Sequence, residues 1–140
     1  MTRFYERMRD AEKGINRGFF ITPEELDRRK PDLITRVFQG IPGLSVQFPP
    51  GRDGRRDKVV YGPLRTGPGG DRCAMTIYLD GLRVFPTLGG GAGTRVDDSL
   101  DTLVIPTDVA AIEIYPYPVD APPQYQSLNG RCGVILLWTK

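Results

Sequence analysis

The sequence predicts an α+β chain built from short elements, and three observations carry that prediction. Three apolar, β-favouring runs occupy its second half: Thr76-Ile77-Tyr78-Leu79-Asp80-Gly81, Val109-Ala110-Ala111-Ile112-Glu113-Ile114-Tyr115, and Cys132-Gly133-Val134-Ile135-Leu136-Leu137-Trp138-Thr139-Lys140. Helix-start and helix-stop signals stand in its first third. Gly 17 and Pro 13 mark frequent turns, which favours short strands over long helices. A chain of 140 residues fits one domain with a modest core.

The elements follow in order. Between Met1 and Arg17, Phe4, Tyr5, Met8 and Ala11 recur at helical spacing, with Arg3, Arg7, Arg9 and Lys13 between them. A basic amphipathic helix can lie on a membrane surface. The favoured reading is an N-terminal arm or helix, residues 1–18, docking on its own domain or on a partner. Thr22 is placed to cap a helix with Pro23 at its first position and Glu25 completing a capping box. That helix, Pro23 to Arg29, ends before Pro31. A second is expected from Asp32 to Gln39, with Leu33, Ile34, Val37 and Phe38 as its buried stripe and Gly40 as its stop. Ile41-Pro42-Gly43 then turns the chain into a strand.

Strands are expected at Leu44 to Phe48 and Lys58 to Tyr61, joined by the polar tip Gly51 to Lys58. Gly62 to Arg72 reads as a loop. Asp80-Gly81 suits a tight hairpin into Leu82-Arg83-Val84. The glycine-rich stretch Leu88 to Thr94 has neither a P-loop Lys-Ser/Thr nor a dinucleotide fingerprint, so it reads as a surface loop. Asp98 or Ser99 caps a helical turn that directs Leu100 and Leu103 inward. Glu113, alternating with Ile112 and Ile114, reads as a polar residue on a sheet face.

Composition excludes more than it assigns. A net charge of +2 is too mild for nucleic-acid binding. Histidine is absent, which removes Ser-His-Asp and Cys-His nucleophiles and His-ligated zinc. Two cysteines alone cannot complete a zinc site. Asp97, Asp98 and Asp101 invite a calcium or acid–base reading, but EF-hand spacing and its terminal Glu are missing. No catalytic residue, cofactor or metal is therefore expected. No apolar run reaches the length of a membrane-spanning helix, and Met1 to Arg7 has no signal-peptide core. Cys73 and Cys132 each open an apolar run, and read alone they are either a disulfide or two buried thiols.

Taken in order, these motifs resemble the plug domain of TonB-dependent outer-membrane receptors. Thr22-Pro23-Glu24-Glu25-Leu26 matches the plug's Thr-x-Glu-Glu-Leu helix start, and Ile41-Pro42-Gly43 to Val46 its Pro-Gly turn and strand. Ile77-Tyr78-Leu79-Asp80-Gly81, Pro106-Thr107-Asp108-Val109 to Ile114, and Gly133-Val134-Ile135 match the rest. The chain departs from the pattern at Gly62 to Arg72, where family members show an Arg-Gly strand. It departs again at Tyr117 and Cys132, which replace glycines. The resemblance spans Phe19 to Lys140 and implies a plug-like domain over residues 19–140. That fold is a small mixed four- to five-stranded sheet with short helices and long loops. It also makes the strands opened by Cys73 and Cys132 neighbours, and so implies a Cys73–Cys132 disulfide in an oxidising compartment.

The function implied is non-enzymatic: a binding or scaffold module acting by protein–protein contact at the periplasmic side of a membrane. The partner would be a receptor barrel or a multi-subunit membrane complex, with association through partners. Candidate contacts are Phe4, Tyr5, Arg7 and Met8 on the arm. Tyr115, Tyr117, Pro118 and Tyr125 join them; Tyr115, Tyr117, Pro116, Pro118, Pro122 and Pro123 form a rigid aromatic-proline stretch that is either an exposed contact surface or a loop packed on its own core. Two narrower roles follow from the resemblance: the plug portion of a receptor that gates nutrient uptake through its barrel, or an accessory subunit that steadies a larger complex.

Overall fold

The computed structural model describes residues 3–47, 59–66, 71–85, 100–126 and 132–140. Three helices, α1 (Phe4–Glu12), α2 (Pro23–Arg29) and α3 (Leu100–Leu103), accompany eight strands. The strands are β1 (Phe19–Ile21), β2 (Ser45–Gln47), β3 (Val59–Thr66), β4 (Asp71–Ala74), β5 (Thr76–Leu79), β6 (Leu82–Phe85), β7 (Val109–Tyr115) and β8 (Val134–Thr139). A five-stranded sheet runs β1-β7-β8-β5-β6, and a three-stranded sheet runs β2-β3-β4. In the larger sheet β5 and β8 are parallel and every other pair is antiparallel, so the mixed α+β architecture expected from sequence is present.

Register sorts the larger sheet into two faces. Ile112 and Ile114 of β7, Ile135 and Leu137 of β8 and Ile77 of β5 point to the main core, with Leu26, Ile34, Val37, Phe38 and Val60. Tyr115, Val134 and Leu136 point the other way, against Ala121 and Tyr125 and beside Phe20, Tyr78 and Trp138. Because both faces are covered, β7 and β8 read as near-continuous apolar runs instead of alternating ones. Met75, fully buried, separates β4 from β5. Its N–H donates to the Val60 carbonyl at 2.9 Å, and the next N–H, of Thr76, donates to Gly133 at 3.0 Å. One extended run therefore serves both sheets.

Local signals account for the ends of elements. The Thr22 hydroxyl accepts the Glu25 N–H at 3.2 Å, and Lys30 closes α2 in the left-handed region at φ 45°. Asp80 and Gly81, at φ 50° and 90°, form the two-residue hairpin between β5 and β6.

Four expectations need correction. The second helix is a 3-10 segment confined to Ile34–Phe38, because β-branched Ile34, Thr35 and Val37 disfavour α-helix and Asp101 takes the Thr35 N–H at 3.0 Å. The supposed loop Gly62 to Arg72 is mostly strand. Its Gly62 and Pro63 sit where the β3–β4 register shifts, which lets a residue without an N–H stand in the ladder. Leu103 is exposed, and Val104, one turn after Leu100, takes the inward place. The expected pairing of the strands after Leu44 and before Tyr61 is present as β2 and β3, but it belongs to a separate three-stranded sheet whose third strand, β4, was not expected there. The Gly51 to Lys58 tip and the Leu88 to Thr94 glycines lie outside the described residues, as do Asp97 and Asp98.

Candidate functional site

Glu113 stands at the centre of the outer face of the larger sheet. Its carboxylate is 0% exposed and receives four hydrogen bonds. Arg7 donates from Nε to Oε1 at 2.7 Å and from Nη2 to Oε2 at 2.6 Å. The Tyr115 hydroxyl donates to Oε1 at 2.6 Å, and Trp138 Nε1 donates to Oε2 at 2.7 Å. The strands dictate this assembly. Glu113 and Tyr115 are two residues apart on β7 and share a face, while Trp138 reaches that face from β8, opposite Ala111. Arg7 follows Phe4 by three positions on α1, so the two side chains fall on one side of the helix.

Around the carboxylate the packing is aromatic. Phe4 meets Phe20 edge-on at 5.6 Å, and Phe20 meets Tyr115 edge-on at 5.9 Å. Tyr78 and Tyr125 are 4.7 Å apart. Burial, then the Glu113 charge, pushes the Tyr115 phenol far above its ordinary range, and burial also raises Tyr125. The hydrogen bond to Glu113 holds the Arg7 guanidinium protonated more firmly than usual, against the effect of burial. The result is a planar cation clamped by a buried carboxylate inside an aromatic wall. Its chemistry is recognition of a guanidinium by two parallel hydrogen bonds.

The candidate contact residues divide by exposure. Tyr5 is 40% exposed and Met8 half-buried on the helix. Arg7 is engaged with Glu113. Phe4, Tyr115, Pro116 and Tyr125 are buried in their own chain, so for Tyr115 and Pro116 the packed reading replaces the exposed one: Tyr115, the last residue of β7, points to the outer face beneath α1. Tyr117 and Pro118 are half-buried. Arg17 lies over the Tyr117 ring at 4.2 Å and donates to Asp120 at 2.9 Å, tying β1 to the Tyr-Pro segment. Val119 at the crest of that segment is 73% exposed. Beside it Phe19, Pro42, Pro63, Pro116 and Tyr117 line a cleft of about 330 Å³.

Cys73 and Cys132 form a disulfide with Cα atoms 5.3 Å apart, linking β4 to the residues that enter β8. Asp101 is occupied by Thr35, whose hydroxyl donates to it at 2.8 Å. Among the described residues, no cluster of three or more His, Cys, Asp or Glu side chains is arranged to hold a metal ion. Also among them, no helix is long and apolar enough to cross a membrane.

Sequence reasoning missed the Arg7–Glu113 pair, whose members are 106 positions apart. A signal existed: a carboxylate in a run as apolar as β7 needs a cation if both sheet faces are covered. What the sequence could not show was that the second face is covered.

No protein-family model and no curated protein matches the chain. Solved structures do. A mutant of the ferric enterobactin receptor PfeA from Pseudomonas aeruginosa matches 88% of this chain at 20% identity and TM-score 0.63. A second PfeA mutant, in complex with enterobactin, matches the same share at 20% identity and TM-score 0.56. The RagAB peptide importer matches 88% at 16% identity and TM-score 0.53. The fold is plug-like. This chain spans 17% of the length of the matched PfeA chain and 12% of the matched RagAB chain.

Proposed function

We propose that this plug-like chain is a non-enzymatic binding or scaffold module acting by protein–protein contact at the periplasmic side of a membrane. The observation that carries the reading is the fold likeness over 88% of the chain to part of an outer-membrane receptor. The disulfide supports an oxidising compartment. The outward contact surface in this reading is Tyr117, Pro118 and Val119 with the proline-lined cleft beside them, together with Tyr5 and Met8 on α1. Rigid prolines and an aromatic ring lose little freedom when such a surface is covered. The buried Phe4, Tyr115 and Tyr125 and the half-buried Arg7 hold those segments in place.

Two narrower roles accord with a match to 17% of the receptor's length: the plug portion of a TonB-dependent receptor that gates uptake through its barrel, and an accessory subunit that steadies a larger membrane complex. The test is isolation of the tagged chain from native membranes, with and without Val119→Asp and Tyr117→Ala. Recovery with a barrel supports the receptor role. Recovery with an unrelated multi-subunit complex supports an accessory subunit. Both variants should lose the partner while melting as the parent does. Recovery of the parent chain alone, or unchanged capture by both variants, would sink the contact surface.

A further inference from the structure

α1 is held to the sheet mainly at two points, the buried Phe4 ring and the Arg7–Glu113 pair. Nine residues are too few for a helix to persist alone in water, and this one has no side-chain N-cap. Phe4 is its one fully buried residue, resting on Phe20. Among the described residues, Arg7–Glu113 is the ion pair that joins it to the sheet. The connection to β1 passes through Gly14, at φ 80°, in a stretch where Ile15 and Arg17 are exposed. The face beneath is the opposite in character. Glu113, Tyr115, Leu136 and Trp138 lie on the two central strands, and the carboxylate keeps two donors from β7 and β8 whether or not α1 is present.

That asymmetry constrains what can replace α1. With α1 away, water reaches the carboxylate, and any group that seals it again must bring a positive charge, because a fully buried carboxylate without a cation is strongly unfavourable. The geometry narrows the charge further. Two oxygens are each bound by a separate nitrogen of one planar group, which an ammonium cannot reproduce. An aromatic ring one helical turn earlier completes the fit against Phe20.

We propose that α1 is a replaceable occupant of this face, and that the face docks a partner-protein helix presenting an aromatic residue followed three positions later by arginine. This rests on the reading of the chain as a contact module and names the chemistry of one partner. Trp138 is the chain's single tryptophan and donates directly to Glu113, so its fluorescence reports on the site.

The experiment titrates a synthetic peptide with the sequence of residues 1–12 into full-length protein carrying Arg7→Ala, and separately into protein carrying Phe4→Ala. Circular dichroism establishes which variant is folded. Saturable recovery of the parent Trp138 spectrum is expected. Binding should be roughly tenfold weaker for a peptide with lysine in place of its arginine, and lost with alanine there. In the parent protein, α1 amides should exchange with solvent faster than those of β7 and β8.

No saturable change in either folded variant, or equal binding of the alanine peptide, would overturn the proposal. So would α1 amides protected as strongly as β7, which applies even if neither variant folds. A dimer of the unliganded parent in light scattering would assign the face to a second copy and overturn the partner assignment. No membrane component enters the titration, so its failure is separable from loss of the Tyr117–Val119 contact.

Discussion

Without Arg7, the Glu113 carboxylate stays buried with Tyr115 and Trp138 as its remaining donors, whereas without Glu113 the arginine can turn toward water. The two partners of one ion pair should therefore differ. Arg7→Ala is expected to lower stability by about 3 kcal/mol and Glu113→Gln by about 1 kcal/mol, measured by urea denaturation. Equal losses would show that the pair is not sealed from solvent. Gly133 is a second position where one atom decides. It sits at φ 106°, and an added Cβ would lie 2.9 Å from the carbonyl oxygens of both Tyr115 and Pro116. Those atoms belong to the backbone and cannot swing away, so Gly133→Ala should cost about 3 kcal/mol by thermal melting.

Among the elements, the junction of the two sheets depends most on covalent help. The disulfide ties β4 to the start of β8 and closes a loop of 59 positions. Replacing both cysteines by serine should lower stability by about 4 kcal/mol in the chain-entropy model, read as a lower urea midpoint. A shift near zero would mean that β5–β8 pairing alone positions the junction. How legible the elements were follows the same physics. α2, the Asp80-Gly81 hairpin and the three late strands were readable because each is set by local caps, turns or apolar runs. β3 was read only as far as Tyr61 because Gly62 and Pro63, beyond it, are tolerated only through a register shift made with β4. The Ile34–Phe38 turn was misread because Asp101, far along the chain, completes it. The Glu113 site was half legible: the arm was expected to dock and the Tyr-Pro segment was singled out, but Glu113 was not seen as the group they close over.

For the whole molecule, stability should fall on the alkaline side. The folded pKa of Tyr115 is raised, so the folded state keeps a proton that the unfolded chain releases. Its contribution is complete below the unfolded pKa of about 10 and declines as pH rises above it. Tyr125 shifts the same way and adds to the decline. Urea midpoints from pH 8 to pH 11 should fall, and the gap between the parent and Tyr115→Phe should narrow toward the upper end. A gap that does not change with pH would show that the phenol is free to ionise. The continuous run through Met75 also has a mechanical consequence. Tension applied to either sheet passes along one extended strand into the other, with the disulfide bridging the same crossing in parallel. The sheets should resist stretching as one body, while α1, which lies outside both, separates before either sheet does and only once Arg7 is pulled from Glu113.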